Sequence, residues 1–226
     1  MEKIKIDLIV GSRPNFLKAA SVINAIQNSR KDYIAFRLIH TGQHYDKNMS
    51  QNFFNQLDIP EPDINLEVGS GSQANQTAKI MVKYEDILLN SPKPYLCLVV
   101  GDVNSTMACS IVAKKLNIKV AHVEAGIRSF DLTMPEEINR IITDSISDYF
   151  FTTSKHANKN LIDAGFDKKN IFFVGNTMID TLNKQKSNFK KPDFFEKLNL
   201  AKDNYLVLTM HRPKNVDDID KLEQFI

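Results

Sequence analysis

Short β-branched runs alternate along the chain with stretches whose apolar residues recur every three to four positions. Ile4–Val10 reads as a buried strand bounded by Gly11. Pro14 suits the first turn of a helix reaching about Ser29, with Ala20, Ile23 and Ile26 on its apolar face. Ala35–His40 predicts the next strand and Met49–Leu57 a helix. Ile59-Pro60-Glu61-Pro62 and Gly69-Ser70-Gly71-Ser72 mark loops. A helix over Ala74–Leu89 leads to Tyr95–Val100, a strongly apolar strand ending at Gly101. Helices are then expected at Ser105–Leu116, Pro135–Ser147 and Lys155–Ala164, with strands at Val120–Val123, Tyr149–Thr152 and Ile171–Val174 between and after them. Gly175-Asn176 reads as a turn before a short helix starting near Thr177.

Strands alternating with helices imply a parallel sheet with right-handed crossovers, hence a doubly wound α/β domain over residues 1–183. The pattern then changes. Residues 184–203 read as a linker, polar and Lys-rich over Lys184–Lys202 with Phe194-Phe195 inside it. Tyr205–Met210 reads as a new strand, His211-Arg212-Pro213 as a turn and Asp217–Ile226 as the start of a helix. One strand and half a helix cannot bury a core, so residues 204–226 read as the opening of a second domain.

Composition narrows the function classes. Of 226 residues, 42% are hydrophobic and 25% charged, which fits a folded domain rather than a disordered chain. The net charge of +2 is too balanced to argue for a nucleic-acid partner. No apolar run reaches the ~18 residues a membrane helix needs, and Met1–Ile6 has no signal-peptide character. Cys97 and Cys109 give neither a disulfide framework nor a metal-ligand spacing, pointing to a reducing cytoplasm and no metal. Four of the six arginines (Arg13, Arg128, Arg140, Arg212) fall inside polar motifs, whereas Arg30 and Arg37 read as ordinary surface positions.

Those motifs follow predicted strands, where open α/β sheets bind ligands. Gly11-Ser12-Arg13-Pro14-Asn15-Phe16-Leu17-Lys18 offers a tight strand exit, helix N–H groups and two cations for an anion. It has one glycine, not the three of a dinucleotide fingerprint, so no nicotinamide cofactor is expected. In Gly101-Asp102-Val103-Asn104-Ser105-Thr106, Asp102 follows an apolar strand, and Asn104 or Ser105 could cap the next helix. Glu124 in His122-Val123-Glu124-Ala125-Gly126-Ile127-Arg128-Ser129 stands at a strand end among small residues. Glu136 and Arg140 in Pro135-Glu136-Glu137-Ile138-Asn139-Arg140 are four apart, as in a simple helical ion pair. Thr41-Gly42-Gln43-His44-Tyr45-Asp46 adds a loop histidine, and His156 carries no signal. Each motif alone has an ordinary capping or solvation explanation. Carboxylates and cations at five strand ends together point to a site.

The runs GSRPNFLK, TGQHYD, GDVNST, HVEAGIRSFD, PEEINR, GNTMID and TMHRP, in order along the whole chain, resemble the non-hydrolysing UDP-N-acetylglucosamine 2-epimerases. That resemblance implies two Rossmann-like domains of the glycosyltransferase-B type with the active site between them. It also implies interconversion of UDP-GlcNAc and UDP-ManNAc for surface polysaccharide synthesis, and a homodimer when full length. The C2 proton of the sugar has no adjacent carbonyl, so direct deprotonation is implausible. Elimination of UDP across C1–C2 to a glycal, then re-addition with a proton on the opposite face, needs acid/base groups on both faces and cations at the diphosphate. By position, the resemblance assigns proton handling to Asp102, Glu124 and Glu136, and substrate or diphosphate electrostatics to Arg13, Lys18, Arg140 and His211. Gln43 and His44 match residues that bind a second, regulatory UDP-GlcNAc in some members. Leu66–Met81 lacks the Arg that accompanies them.

Asn15 stands where many members carry Glu, and Leu132 where a commoner version has Arg. These departures keep open a related UDP-diacetamido-uronic acid substrate. A hydrolysing relative, a glycosyltransferase of the same architecture and a non-catalytic sugar-nucleotide-binding protein are the other readings. The family's C-terminal Asp-Ser-Gly-Gly segment lies beyond Ile226, so residues 1–226 alone are expected to be inactive.

Overall fold

The computed structural model describes residues 3–29, 33–42, 54, 56–210, 216–217 and 219–223. The chain forms two compact units, Met1–Lys186 and Ser187–Ile226. The first runs β1 (Ile4–Val10), α1 (Arg13–Gln27), β2 (Ile34–His40), β3 (Ile64–Asn65), α2 (Gln73–Asn90), β4 (Leu96–Val100), α3 (Asn104–Lys115) and β5 (Lys119–Val123). It continues with α4 (Pro135–Ile146), β6 (Tyr149–Thr152), α5 (Lys155–Asp163), β7 (Ile171–Phe173) and α6 (Thr177–Gln185). Its seven strands form one sheet in the order β3-β2-β1-β4-β5-β6-β7, and every ladder is parallel. The expected doubly wound, Rossmann-like α/β architecture is the observed one.

Alternation along the strands sends neighbouring side chains into two cores. Ile9, Ile39, Cys97, Val99 and Val120 pack with Ile80, Tyr84 and Leu88 of α2 and Ala108, Cys109 and Val112 of α3. Leu8, Val10, Leu38, Leu98, Val100, Ala121 and Val123 pack on the opposite face with Phe16, Ala19, Ala20 and Ile23 of α1. At roughly 1.5–3 kcal/mol for each large side chain fully buried, these two layers hold the sheet rigid beneath its rim. Cys97 and Cys109 are buried and unpaired, and burial pushes the Cys97 thiol up to about 12, so neither is a nucleophile here. No described helix is long and apolar enough to cross a membrane.

The sheet order reverses between β1 and β4, which lie side by side although α1, β2, β3 and α2 separate them in sequence. The loops after these two strands depart to opposite sides and leave a crevice at their carboxyl ends, the usual ligand position in such sheets.

Four readings need correction. Ile64–Asn65, between the loops at 59–62 and 69–72 where no strand is expected, is a short edge strand, because Leu38–His40 offers it a free ladder edge. Tyr205–Met210 has no strand structure: no ladder partner lies beside it among the described residues, and Leu206 is 99% exposed. An apolar run without a neighbour leaves its backbone groups to water. Arg37 is not an ordinary surface residue. It grips the buried Asp7 through two 2.9 Å hydrogen bonds, and Asp7 also accepts from Tyr84 Oη at 3.0 Å. Finally, the α3 N-cap is Val103, without a side-chain cap bond, so neither Asn104 nor Ser105 serves there. Ser105 Oγ instead bonds Thr41 Oγ1 at 2.7 Å.

Within the second unit, α7 (Phe194–Lys197) and α8 (Ile219–Glu223) are short helices. The anticipated helix over Met49–Leu57 falls largely, and the turn at His211–Pro213 entirely, outside the described residues.

Candidate active site

Gly101 is the pivot of the site. It ends β4 with φ +71°, a conformation glycine adopts without penalty. A methyl group there would sit 3.0 Å from Lys18 Nζ and 3.3 Å from Asn15 Nδ2, so the strand end lies directly against the first turns of α1. Asn15 is buried and joins the two elements: its amide donates to Val100 O at 2.6 Å and its Oδ1 accepts from Ser12 N and Oγ.

Glu124 reaches the same place from β5. It occupies the left-handed region at φ +72°, which costs a residue with a Cβ roughly 1–2 kcal/mol. Hydrogen bonds from the Glu124 and Ala125 amides to Phe151 O (2.9 and 3.2 Å) hold it there. Its carboxylate accepts from Lys18 Nζ at 2.5 Å with both side chains almost enclosed.

Asp102, the residue after Gly101, faces Arg140 of α4. Arg140 Nη2 and Nε donate to Asp102 Oδ2 at 2.5 and 3.0 Å, while Nη1 donates to Glu137 Oε2 at 2.9 Å. Asn139 Nδ2 donates to the Asp102 carbonyl at 2.8 Å, so both the main chain and the side chain of Asp102 are fixed by α4. The Glu136–Arg140 pair expected from the four-residue spacing does not form. A turn of 3.6 residues carries Glu137, not Glu136, onto the inner face with Arg140. Glu136 is exposed and makes no hydrogen bond or ion pair with any described residue.

Beside these groups lies a hollow of about 280 Å³ lined by Ser12, Pro14, Gln73, Gln76, Asp102, Val103, Asn104, Pro135, Glu136 and Asn139. The amino-terminal turns of α1, α2, α3 and α4 all meet it, and their free N–H groups give it a positive field. Asn104 fixes its wall by donating to Gln73 and Gln76 Oε1 at 2.7 and 2.9 Å. Asp102 and Glu136 therefore share one hollow, whereas Glu124 and Lys18 adjoin it through Gly101 without lining it. Arg13 is exposed on the first turn of α1, next to Ser12 and Pro14 of the lining. Gln43, His44 and His211 lie outside the described residues. Among the described residues, no three His, Cys, Asp or Glu side chains gather as a metal would require.

Beneath the hollow sits a layer that motif reading missed. Glu137 is fully buried and accepts from the amides of Ser129 (2.9 Å) and Phe130 (3.2 Å), the Ser129 hydroxyl and Arg140. Burial opposes its ionisation, but these donors prevail and hold its carboxyl below the usual value. Asp144 is likewise enclosed. Its Oδ1 meets His122 Nδ1 at 2.7 Å, and its Oδ2 accepts from Arg128 Nη1 at 2.7 Å and the Gly126 amide at 3.0 Å. Desolvation is again outweighed, here by His122 and Arg128, and the Asp144 carboxyl is held low. A sequence signal existed: Glu137, Arg140 and Asp144 stand at i, i+3 and i+7, one helical face of charged residues where a core should be.

The model of the family described as UDP-N-acetylglucosamine 2-epimerase matches residues 26–226. The chain is 42% identical over 227 residues to the UDP-N-acetylglucosamine 2-epimerase of Methanocaldococcus jannaschii, covering 99% of this chain and 61% of that protein. It is 40% identical to the UDP-2,3-diacetamido-2,3-dideoxy-D-glucuronate 2-epimerase of Pseudomonas aeruginosa, with 99% and 62% covered. The crystal structure of the M. jannaschii epimerase in complex with UDP-GlcNAc and UDP superposes with a TM-score of 0.84 at 41% identity, over 98% of this chain and 60% of that one. The chain thus spans about three-fifths of the length of these relatives. With a matched family model, close relatives along nearly its whole length and the same fold, the chain belongs to the UDP-N-acetylglucosamine 2-epimerase family.

Proposed function

We propose that the full-length protein interconverts UDP-GlcNAc and UDP-ManNAc by removing UDP across C1–C2 and adding it back. In the first half-reaction a base takes the C2 proton, the C1–O bond breaks and UDP leaves, giving the 2-acetamidoglucal. In the second, UDP re-forms the C1–O bond and an acid delivers a proton to the other face of C2. The observation that carries this reading is the pair of carboxylates, Asp102 and Glu136, on the walls of one hollow outside the β1/β4 crevice, with Glu124–Lys18 adjoining.

Glu136 is suited to proton transfer because no other described residue engages it. Asp102 is held in one orientation by Arg140 and Asn139, as a positioned acid or base must be. Arg140 has its donors directed to Asp102 and Glu137, so its part in this reading is to orient Asp102. Arg13 and the convergent helix termini supply the field for a leaving diphosphate. The product would feed cytoplasmic synthesis of surface polysaccharide, and the full-length protein would act as a homodimer.

The test is to incubate the full-length protein with UDP-GlcNAc in deuterated water and follow the sugar by NMR. Deuterium at C2 of a UDP-linked product is expected. Free N-acetylmannosamine would show hydrolysis instead, and an unlabelled sugar recovered intact would refute C2 chemistry on this substrate. The near-equal identity to the P. aeruginosa diacetamido-uronate epimerase favours one second reading, the same chemistry on that sugar. Comparing kcat/KM on the two substrates separates them.

A further inference from the structure

The ladder between β4 and β5 stops at Val100 and Val123. Immediately past it, two carboxylates at the site leave the sheet: Asp102 after the left-handed Gly101, and Glu124, adjoining the hollow, in the left-handed region itself. Among the described residues one backbone hydrogen bond, Gly101 N to Val123 O at 2.9 Å, spans the gap between the two loops. Below it lies His122, wholly buried on β5 and facing α4. Its Nε2 is 2.8 Å from Gly101 O and its Nδ1 is 2.7 Å from Asp144 Oδ1.

A carbonyl oxygen only accepts, so Nε2 donates to Gly101. Asp144 already accepts hydrogen bonds from Arg128 and the Gly126 amide, so towards the ring it too accepts, and Nδ1 donates as well. The ring is thus a two-ended donor. One end ties down the loop that carries Asp102. The other, through Asp144, ties down Gly126 and Arg128 in the loop that carries Glu124. Gly126 leaves that loop no slack: a methyl group at its Cα would lie 2.4 Å from Ala157 O. An apolar side chain of similar volume would fill the space without the cost of burying an imidazole.

We propose that His122 is a positioning residue that sets the spacing of Asp102 and Glu124 for catalysis without touching substrate. This rests on the epimerase reading above. The two ends of the ring can be severed separately. In His122→Gln the side-chain amide reaches the Nε2 position and can still donate to Gly101 O. In His122→Asn it reaches only the Nδ1 position, keeping Asp144 and losing Gly101.

The experiment measures kcat and KM for UDP-GlcNAc epimerisation by the full-length protein and both variants, each normalised to folded protein by thermal melting. Each variant severs one end of the ring, so each is expected to lower kcat, His122→Asn by about 100-fold, with KM within about threefold, as a displacement near 1 Å does. Unchanged kcat in either variant would overturn the proposal. A second arm does not depend on turnover. By ¹H–¹⁵N NMR, His122→Asn should shift the Asp102 amide resonance more than His122→Gln does, because only the first loses the bond to Gly101 O. No difference at Asp102 would overturn the proposal as well. Wild type that fails to epimerise UDP-GlcNAc but passes this arm would reject the substrate, not the positioning.

Discussion

Two layers of acidic residues meet at the rim of the sheet, and they are built differently. In the lower one, Glu137 and Asp144 are enclosed and receive hydrogen bonds on both oxygens from loop amides, Arg140, Arg128 and His122. In the upper one, Asp102 is held on one oxygen only, and Glu136 is exposed and unengaged. Enclosed carboxylates bonded on both oxygens shape loops; those with an oxygen left open can exchange protons with a ligand. In the proposed reading the difference separates scaffold from chemistry, and at Glu136 and Glu137 it does so between adjacent residues of one helix.

The comparison breaks most sharply at Glu136. Replacing it with Gln removes an acid/base group while leaving every described contact in place. Epimerisation by the full-length protein should fall about 10²–10⁴-fold, with stability within about 0.5 kcal/mol of wild type. Activity close to wild type would move the proton transfer elsewhere.

Asp144→Asn should do the reverse, acting first on the fold. It would strip Arg128 of its buried counter-charge and leave His122 Nδ1 facing a neutral amide. Breaking a buried pair from one side costs about 3–5 kcal/mol, enough to lower the melting temperature by roughly 10 °C or more in a domain of this size. Thermal melting in the Asp144→Asn and Glu136→Gln proteins gives the contrast directly.

The scaffold carboxylates also set an acid limit. Glu137 and Asp144 are held below their unfolded values, so below about pH 4 the unfolded chain binds more protons than the folded one. Their contribution is fully present above that pH and is lost as pH falls through the folded values. Glu137→Gln should therefore cost about 1–3 kcal/mol at neutral pH and flatten the acid limb of a stability–pH curve measured by urea unfolding. An acid limb as steep as that of wild type would mean that Glu137 is not one of the groups being protonated.

These contrasts also show what the sequence made legible. The strand ends, the glycines at 101 and 126 and the motif residues were all readable, because periodicity of two against 3.6 separates strand from helix and polar residues stand out after apolar runs. Tyr205–Met210 reads like Leu96–Val100, yet among the described residues only the second has neighbours to pair with; pairing is non-local and leaves no trace in a single run. Ile64–Asn65 is too short to show any period. Arg37 passed as a surface residue because its partner, Asp7, sits on another strand. Glu136 and Glu137 are adjacent and identical in type, and only the phase of α4, fixed by Arg140 and Asp144 further along it, decides which one is inside.

Lys159 and Asp163 give the smallest effect and the control for the rest. They form an i,i+4 pair on α5, opposite charges in contact as at Arg128–Asp144, but with side chains 67% and 58% exposed. Water already solvates both ends, so the pair gains little from contact and gives up side-chain freedom to make it. Lys159→Gln keeps helix propensity nearly unchanged and should shift stability by no more than about 0.5 kcal/mol in urea unfolding, with any loss shrinking as salt rises. If it costs as much as Asp144→Asn, charge pairing as such would be what stabilises this domain, and the division between enclosed and open carboxylates would lose its basis. If it costs almost nothing, enclosure by the loops over α4 is what gives the Asp144 pair its weight.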